Sequence, residues 1–219
     1  MDPARAGGSS RPALRYARRV HGYGPTTALI VVDVQNDFAD PAGGLSVAGG
    51  DRIIPAVNRE IDRARAAGAL VVATQDWHPE HTPHFARDGG IWPVHCVEGT
   101  WGADLHPGLE LPDDAPRVRK GANGEDGYSG FMMRDPVSGT TIPTELEALL
   151  RAGGVESVVV VGLATDYCVK ATALDAVRLG FRTTVLTDAV AAVDLQSGDG
   201  DQALDELLEA GAALERSIE

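Results

Sequence analysis

The sequence predicts an α/β fold in which helices cover both faces of a mainly parallel central sheet. Two observations support this prediction. Short apolar segments rich in β-branched residues alternate along the chain with longer segments that have helical spacing. A glycine follows each of the helical segments. This rhythm is typical of a Rossmann-like, three-layer α/β/α arrangement.

The strand segments are apolar at consecutive positions rather than at every second position. A strand with this pattern is buried on both faces, as in a parallel sheet covered by helices. The segments are residues 28–32, 70–74, 157–161 and 183–186.

The helical segments carry apolar residues at helical spacing and end at glycine, which accepts the left-handed conformation common just after a helix. They are residues 50–67, 143–152, 166–179 and 199–210. The glycines that follow them are Gly68, Gly153, Gly180 and Gly211.

One long stretch, residues 77–138, breaks this rhythm. It is rich in Gly, Pro, His, Asp and Trp, and only residues 117–119 resemble a short strand. Because it is too long for a simple connection, we interpret it as a functional insertion that walls a site. The predicted organisation is therefore one domain, residues 25–219, with an insertion near residues 76–138.

The charge is unevenly distributed along the chain. Residues 1–24 contain five arginines and one aspartate, which gives this segment a charge of +4. Because the whole chain has a net charge of −13, residues 25–219 carry −17. A strongly acidic body repels phosphate backbones and anionic lipid, which argues against nucleic-acid and membrane partners. We expect the arginine-rich segment to be a flexible extension, although it shares its composition with organellar transit peptides.

Two cysteines, Cys96 and Cys168, can form at most one disulfide, so the chain is not a disulfide-stapled secreted scaffold. Reactive thiols persist in a reducing compartment, and we therefore expect the cytoplasm. The longest apolar runs fall far short of the roughly 20 residues that span a bilayer.

Reactive side chains follow three of the predicted strands. Asp33 follows the first strand, and Cys168 lies in the first turn after the strand at residues 157–161. The start of a helix favours a thiolate, which makes Cys168 a candidate nucleophile and Asp33 a candidate acceptor of its proton. Lys120 would supply a positive charge to Asp33. Each residue also has an ordinary interpretation: an inert buried cysteine, a turn aspartate and a surface lysine.

Five of the six histidines fall between residues 78 and 106. Asp76 and His78 have i, i+2 spacing, which puts both on one side of an extended segment, and His84 and His95 follow in the same loop. A mixed Asp/His set suits Zn, Fe or Mn rather than Ca or Mg. The remaining loop histidines fit surface positions, and Cys96 fits a packing role.

Five short motifs together resemble the nicotinamidase/pyrazinamidase branch of the isochorismatase-like cysteine hydrolases. The match spans roughly residues 28–214, and the motifs occur in the family's order. The motifs are DVQNDF at 33–38, QDWHP at 75–79, WPVHCV at 92–97, KG at 120–121 with DGYSGF at 126–131, and GLATDYCV at 162–169.

This resemblance implies a role for each matching residue. The implied catalytic residues are Asp33, Lys120 and Cys168. The implied ligands of one divalent metal are Asp76, His78 and His95, with His84 as a fourth that binds directly or through water. The ring pocket would be walled by Phe38, Trp92, Tyr128 and Tyr167. Backbone N–H groups near Ala164 and Cys168 would form the oxyanion hole, after a cis bond between Leu163 and Ala164.

The implied reaction is hydrolysis of nicotinamide to nicotinate and ammonia, and of pyrazinamide, through a cysteine thioester and without an organic cofactor. The implied role is NAD salvage, and a homo-oligomer is possible. Two alternatives remain open: another small-amide hydrolase, of the carbamoyl-sarcosine or ureidoacrylate type, or a non-catalytic binding protein with this fold. The Asp/His set argues against the first alternative and Cys168 against the second.

Overall fold

A computed structural model describes residues 22–217 of the chain. The predicted arginine-rich extension therefore lies outside the described residues, apart from its last three positions. No helix among residues 22–217 is long and apolar enough to cross a bilayer.

The centre of the molecule is a six-stranded sheet with the strand order β3-β2-β1-β6-β7-β8, and every neighbouring pair is parallel. The prediction of a parallel sheet is confirmed. The six strands are β1 (Thr27–Val32), β2 (Leu70–Asp76), β3 (Arg117–Lys120), β6 (Ser157–Leu163), β7 (Arg182–Ala191) and β8 (Ala213–Glu215). A separate antiparallel pair consists of β4 (Met132–Arg134) and β5 (Thr141–Pro143).

The longer helices cover the two faces of this sheet. The helices are α1 (Asn36–Ala39), α2 (Ile54–Ala66), α3 (Leu146–Ala152), α4 (Lys170–Arg178) and α5 (Asp199–Ala210). A single wide turn of π-helix, Thr165–Val169, joins β6 to α4. Helix α2 packs on one face, and α3, α4 and α5 pack on the other.

Strand β1 shows why apolar residues occur at consecutive positions. Leu29 and Val31 point into the cluster beneath α2, whereas Ala28, Ile30 and Val32 point into the cluster on the opposite face. All five are fully buried. Because alternate side chains of a strand point to opposite faces, the hydrophobic effect acts on both faces of this strand and fixes it at the centre of three layers.

The structure differs from the sequence predictions at element ends and short elements. The helix predicted from residue 143 begins at Leu146, because residues 141–143 form β5. The left-handed glycine after that helix is Gly154 rather than Gly153, which has a φ of −78°. Strands β4, β5 and β8 are three residues each and lack a recognisable apolar pattern, and none was predicted.

Irregular chain makes up most of the region between β2 and β4, as the sequence predicts. Isolated bridges rather than extended ladders hold this insertion: His78 pairs with Val97, and Phe85 with Trp92. The insertion returns to the sheet once, as β3. Side chains and turns therefore position the residues of this region.

Candidate active site

Four adjacent strands bring the predicted reactive residues to one edge of the sheet. Asp33 directly follows β1, Asp76 ends β2, Lys120 ends β3, and Cys168 lies in the wide turn after β6. These strands are neighbours in the order β3-β2-β1-β6. Because their carboxyl ends face the same crevice, residues far apart in sequence meet there.

Lys120 is the centre of this group. Its ammonium donates to Asp33 Oδ2 at 2.8 Å and to Cys168 Sγ at 3.5 Å, and it lies 2.6 Å from Asp76 Oδ1. Lys120 and Asp33 are 1% and 0% exposed. A buried lysine is costly unless it is paired, and here two buried carboxylates pair with one cation. The sequence alone favours a solvated surface lysine at this position, and that interpretation is wrong.

Thr74 completes the contacts of Asp33. Its hydroxyl donates to Asp33 Oδ1 at 2.6 Å, so each carboxylate oxygen has one donor. Burial raises the pKa of Asp33 and Asp76 adds to this increase, while Lys120 and the Thr74 hydroxyl oppose it. A carboxylate with a raised pKa is a better proton acceptor near neutral pH than an ordinary aspartate.

The surroundings of the Cys168 thiol act mainly against its ionisation. Burial raises the pKa of Cys168 well above its ordinary value; Lys120 acts to lower this pKa, but Asp33 and Asp76 raise it further. Burial therefore acts against the thiolate that the helix start alone would favour. The helix dipole acts on a fully buried sulfur whose nearest charges include two carboxylates, so ionisation requires an acceptor for the proton.

Next to Asp33, Lys120 and Cys168, three imidazoles converge on the same crevice. One nitrogen from each of His78, His84 and His95 lies within 4.8 Å of the others. Asp76 Oδ2 is 3.8 Å from His78 Nε2 and 4.0 Å from His95 Nε2. His81 is outside this group, with a side chain that is 71% exposed. His106 also lies elsewhere, 3.9 Å from Asp40.

The hydrogen bonds around the imidazoles show whether this group fits a metal. His95 Nδ1 donates to the carbonyl of Pro93 at 2.7 Å, and His84 Nδ1 donates to Asp126 Oδ1 at 2.8 Å. Both partners are acceptors, so each Nδ1 carries the proton and each Nε2 keeps a free lone pair. His78 is buried, and neither of its ring nitrogens has a hydrogen-bond partner within the described part of the chain.

This donor set fits a divalent transition metal. Three imidazoles and one carboxylate suit Zn, Fe or Mn, and a buried histidine without hydrogen-bond partners is costly unless an ion binds it. Burial lowers the pKa of His95 to about 4, which keeps it neutral at neutral pH. Burial acts to raise the pKa of Asp76, but Lys120, His78 and His95 together hold it well below its ordinary value.

Aromatic side chains form the outer walls of the pocket. Phe38, Trp92, Tyr128 and Tyr167 all line it, as do Ala164 and Cys168. Tyr167 packs edge-on against Trp92 with ring centres 4.9 Å apart, and Trp92 Nε1 donates to the Tyr128 hydroxyl at 3.0 Å. The space between the walls, including the part open to solvent, is about 360 Å³.

The structure thus places every predicted site residue in or directly beside this pocket. The peptide bond between Leu163 and Ala164 is cis, as the resemblance implies. Cys96 is fully buried in the core cluster, which confirms its predicted packing role. The sequence analysis missed a third wall, which is formed by the aliphatic residues Leu45, Val47 and Val193.

It also missed several polar residues that hold the site in place. Gln35 donates to the carbonyl of Asp76 and accepts the N–H of the same residue, at 2.7 and 2.8 Å. Asp37 accepts the N–H groups of Gly44 and Cys96, which fixes the turn after His95. Thr74 and Asp126 act on Asp33 and His84 as described above. Gln35, Asp37 and Asp126 lie within the motifs at 33–38 and 126–131, and Thr74 directly precedes the motif at 75–79, but the sequence does not indicate which contacts they make.

Comparison with known proteins places the chain among hydrolases. A sequence profile of the isochorismatase domain matches residues 27–218. The nicotinamidase of Escherichia coli K12 is 39% identical over 206 residues, which cover 87% of this chain and 94% of that protein.

Two solved structures share the fold. One is a pyrazinamidase of Pyrococcus horikoshii in complex with zinc, with a TM-score of 0.78 and 43% identity over 88% of this chain and 99% of that one. The other is the PnC1 protein of L. infantum in complex with nicotinate, with a TM-score of 0.81 and 38% identity over 90% and 96%.

Proposed function

The chain belongs to the isochorismatase family, and on this premise we propose that it is a metal-containing cysteine amidase that hydrolyses nicotinamide to nicotinate and ammonia. Its nicotinamidase relative and its nicotinate-bound structural neighbour support this substrate. The pyrazinamidase neighbour supports pyrazinamide as a second substrate.

One observation supports this proposal most strongly. The buried ammonium of Lys120 contacts Asp33 and Cys168 at 2.8 and 3.5 Å, in a pocket whose next wall contains the histidine group. A thiol beside a carboxylate supplies a nucleophile and a proton acceptor, as amide hydrolysis requires. An ion held by the neighbouring histidine nitrogens would supply a place for the pyridine ring nitrogen, which other small-amide hydrolases would not need.

The first half of the reaction forms a thioester. Asp33 accepts the Cys168 proton, the sulfur attacks the carboxamide carbon, and a C–S bond forms. The N–H groups of Ala164 and Cys168 would hold the negative oxygen of the tetrahedral intermediate. Asp33 then donates its proton to the leaving nitrogen, the C–N bond breaks, and ammonia departs.

The second half of the reaction restores the thiol. A water molecule loses a proton to Asp33 and attacks the thioester carbon. The C–S bond breaks, nicotinic acid is released and ionises, and Cys168 recovers its proton from Asp33. Lys120 keeps the charge around Asp33 balanced throughout, because its own pKa is raised by Asp33, Asp76 and Cys168 against the effect of burial.

A divalent ion would be held by Asp76, His78, His84 and His95. When bound, it would act as a Lewis acid towards the ring nitrogen. Phe38, Trp92, Tyr128 and Tyr167 then enclose the ring faces and edges, so that the carboxamide reaches Cys168. Zinc in the pyrazinamidase neighbour makes zinc the first ion to test, with iron and manganese next.

An ammonia-release assay with nicotinamide tests this function. Protein reconstituted with zinc, iron or manganese should release ammonia from nicotinamide and pyrazinamide, and little from carbamoyl-sarcosine or ureidoacrylate. Preference for either of the last two would favour the alternative hydrolases, and no ammonia from any amide would favour a binding protein. In the cell we expect the reaction to serve NAD salvage in the cytoplasm; a homo-oligomer also stays a proposal.

A further inference from the structure

We propose that Asp166 is a positioning residue that locks the aliphatic wall of the pocket to the nucleophile turn and so limits the size of the ring that the pocket accepts. This inference deepens the proposed function. The reaction as described makes no use of Asp166. Its side chain is nevertheless buried, with 6% exposure, two residues before Cys168.

Both carboxylate oxygens of Asp166 bind backbone N–H groups of the segment that follows β7. Oδ1 accepts the Val193 N–H at 3.0 Å and Oδ2 accepts the Asp194 N–H at 2.9 Å. The chain has left the sheet at this point, and Asp194 has a φ of 51°, outside the strand region. Hydrogen bonds from N–H groups to a carboxylate are strong, so these two bonds determine where the segment lies.

The other end of the same segment is also held. Asp194 Oδ1 accepts the Gly200 N–H at 2.8 Å, at the start of α5. Gly200 itself lies so close to the chain that an added Cβ would come within 2.6 Å of the Ala192 side chain. The segment therefore has little freedom along its length. Asp166 connects it to the turn that carries Cys168.

The position of this segment matters because Val193 lines the pocket. It stands with Leu45 and Val47 as the aliphatic wall, while Cys168 and the histidine group occupy other sides. The Asp166 side chain thus sets the separation between the nucleophile turn and the Val193 part of this wall. For an aliphatic wall, a single methyl group on the substrate can change kcat/KM about tenfold or more.

Asp166→Asn tests this role with little change in volume. An amide has one acceptor oxygen, so one N–H keeps its partner and the other faces an NH₂ donor, which moves the segment. The substrates are nicotinamide and the methylnicotinamides that carry the methyl group on each remaining ring carbon in turn. The measured quantity is kcat/KM for each methylnicotinamide divided by that for nicotinamide.

We expect Asp166→Asn to raise this ratio about tenfold for at least one methylnicotinamide, with a higher KM for nicotinamide. Val193→Ala should raise the ratio for the same compound, because it removes the wall directly. Asp188→Asn is the matched control: Asp188 lies on β7 and accepts two hydrogen bonds from Ser217, away from the pocket. It should leave every ratio unchanged. Unchanged ratios in Asp166→Asn, or equal changes in Asp188→Asn, would overturn the proposal.

Two further measurements keep the test decisive if Asp166→Asn does not fold. Amide hydrogen exchange of the unmodified protein should be slow at Val193 and Asp194, because both N–H groups bind Asp166. Fast exchange at both would contradict the proposed role of Asp166. Calorimetric binding of nicotinate and the methylnicotinates to Val193→Ala reports the size limit without turnover, and an unchanged binding preference would contradict it. Absence of ammonia release by the unmodified protein would instead end the proposed function.

Discussion

The two halves of the pocket are held in place in different ways. One half consists of Asp33, Lys120 and Cys168, which lie at strand ends and in one turn. The register of the parallel sheet positions these residues. The histidine group lies on irregular chain, and single hydrogen bonds to the Pro93 carbonyl and the Asp126 carboxylate orient the rings of His95 and His84. The comparison teaches that the first half is part of the core, whereas the second depends on a few contacts outside it.

The largest expected effect comes from removing the nucleophile. Cys168→Ala should lower kcat for nicotinamide by about ten-thousandfold or more, because the variant has no thiol next to Asp33 to form the thioester. Metal content and the unfolding midpoint should change little. Cys96→Ala is the control, since Cys96 packs in the core, and its kcat should stay near that of the unmodified protein. Substantial turnover by Cys168→Ala would contradict a covalent mechanism.

Removal of the central cation should affect stability as well as activity. Lys120→Met leaves Asp33 and Asp76 buried without their cation, a loss of about 3–5 kcal/mol in the free energy of unfolding. Urea denaturation at neutral pH measures this. Lys170→Met breaks the surface pair between Lys170 and Glu206, whose nitrogen and oxygen are 3.2 Å apart, and should cost about 1 kcal/mol or less. Equal losses of unfolding free energy in the two variants would show that the buried pairing of Lys120 with Asp33 and Asp76 does not stabilise the protein.

The histidine half should respond to pH. Burial lowers the pKa of His95 to about 4, below the ordinary value of about 6.5. The unfolded chain therefore binds the proton first as pH falls, so stability that is present above about pH 6.5 is lost towards about pH 4. We expect His95 to account for about 3 kcal/mol of this loss in metal-free protein.

The measurement compares unfolding free energies of the metal-free protein and His95→Asn across this pH interval. The difference between the two should shrink as the pH falls. His81→Asn serves as the control, because the exposed His81 side chain has no buried partner to lose. Parallel curves for the unmodified protein and His95→Asn would contradict the lowered pKa.

The smallest expected effect concerns an indirect contact. Asp126→Asn weakens the bond that holds His84 in its orientation, so zinc affinity should fall about 10–100-fold, as measured by competition with a chromophoric chelator. Asp88→Asn offers the same change beside an exposed histidine, since Asp88 and His81 are 3.0 Å apart. It should leave zinc affinity unchanged. If both variants bind zinc equally well, His84 does not need Asp126.

The same division explains what the sequence could predict. Apolar runs fixed the strands of the central sheet closely enough to place Asp33, Asp76 and Cys168 at one edge. Strand β3 was expected only as a possibility, yet its end brings Lys120 to the centre of the site. No local pattern signals that a lysine will be buried, because its partners come from three other strands.

The histidine half was predictable in composition but not in geometry. The spacing of Asp76 and His78 indicates a metal site, whereas the orientation of His84 depends on Asp126, 42 residues later in the chain. The aliphatic wall shows the same limit. Val193 lies beyond the predicted end of its strand, and the contact that places it comes from Asp166 on another element.

The raised pKa of Cys168 also bears on how the protein withstands oxidation. Peroxides and alkylating reagents attack thiolates far faster than thiols. In the empty pocket Cys168 is only 6% exposed, and burial raises the pKa of its thiol. Both effects protect the nucleophile, so reagents that titrate ordinary reactive cysteines should modify Cys168 slowly while the pocket is empty.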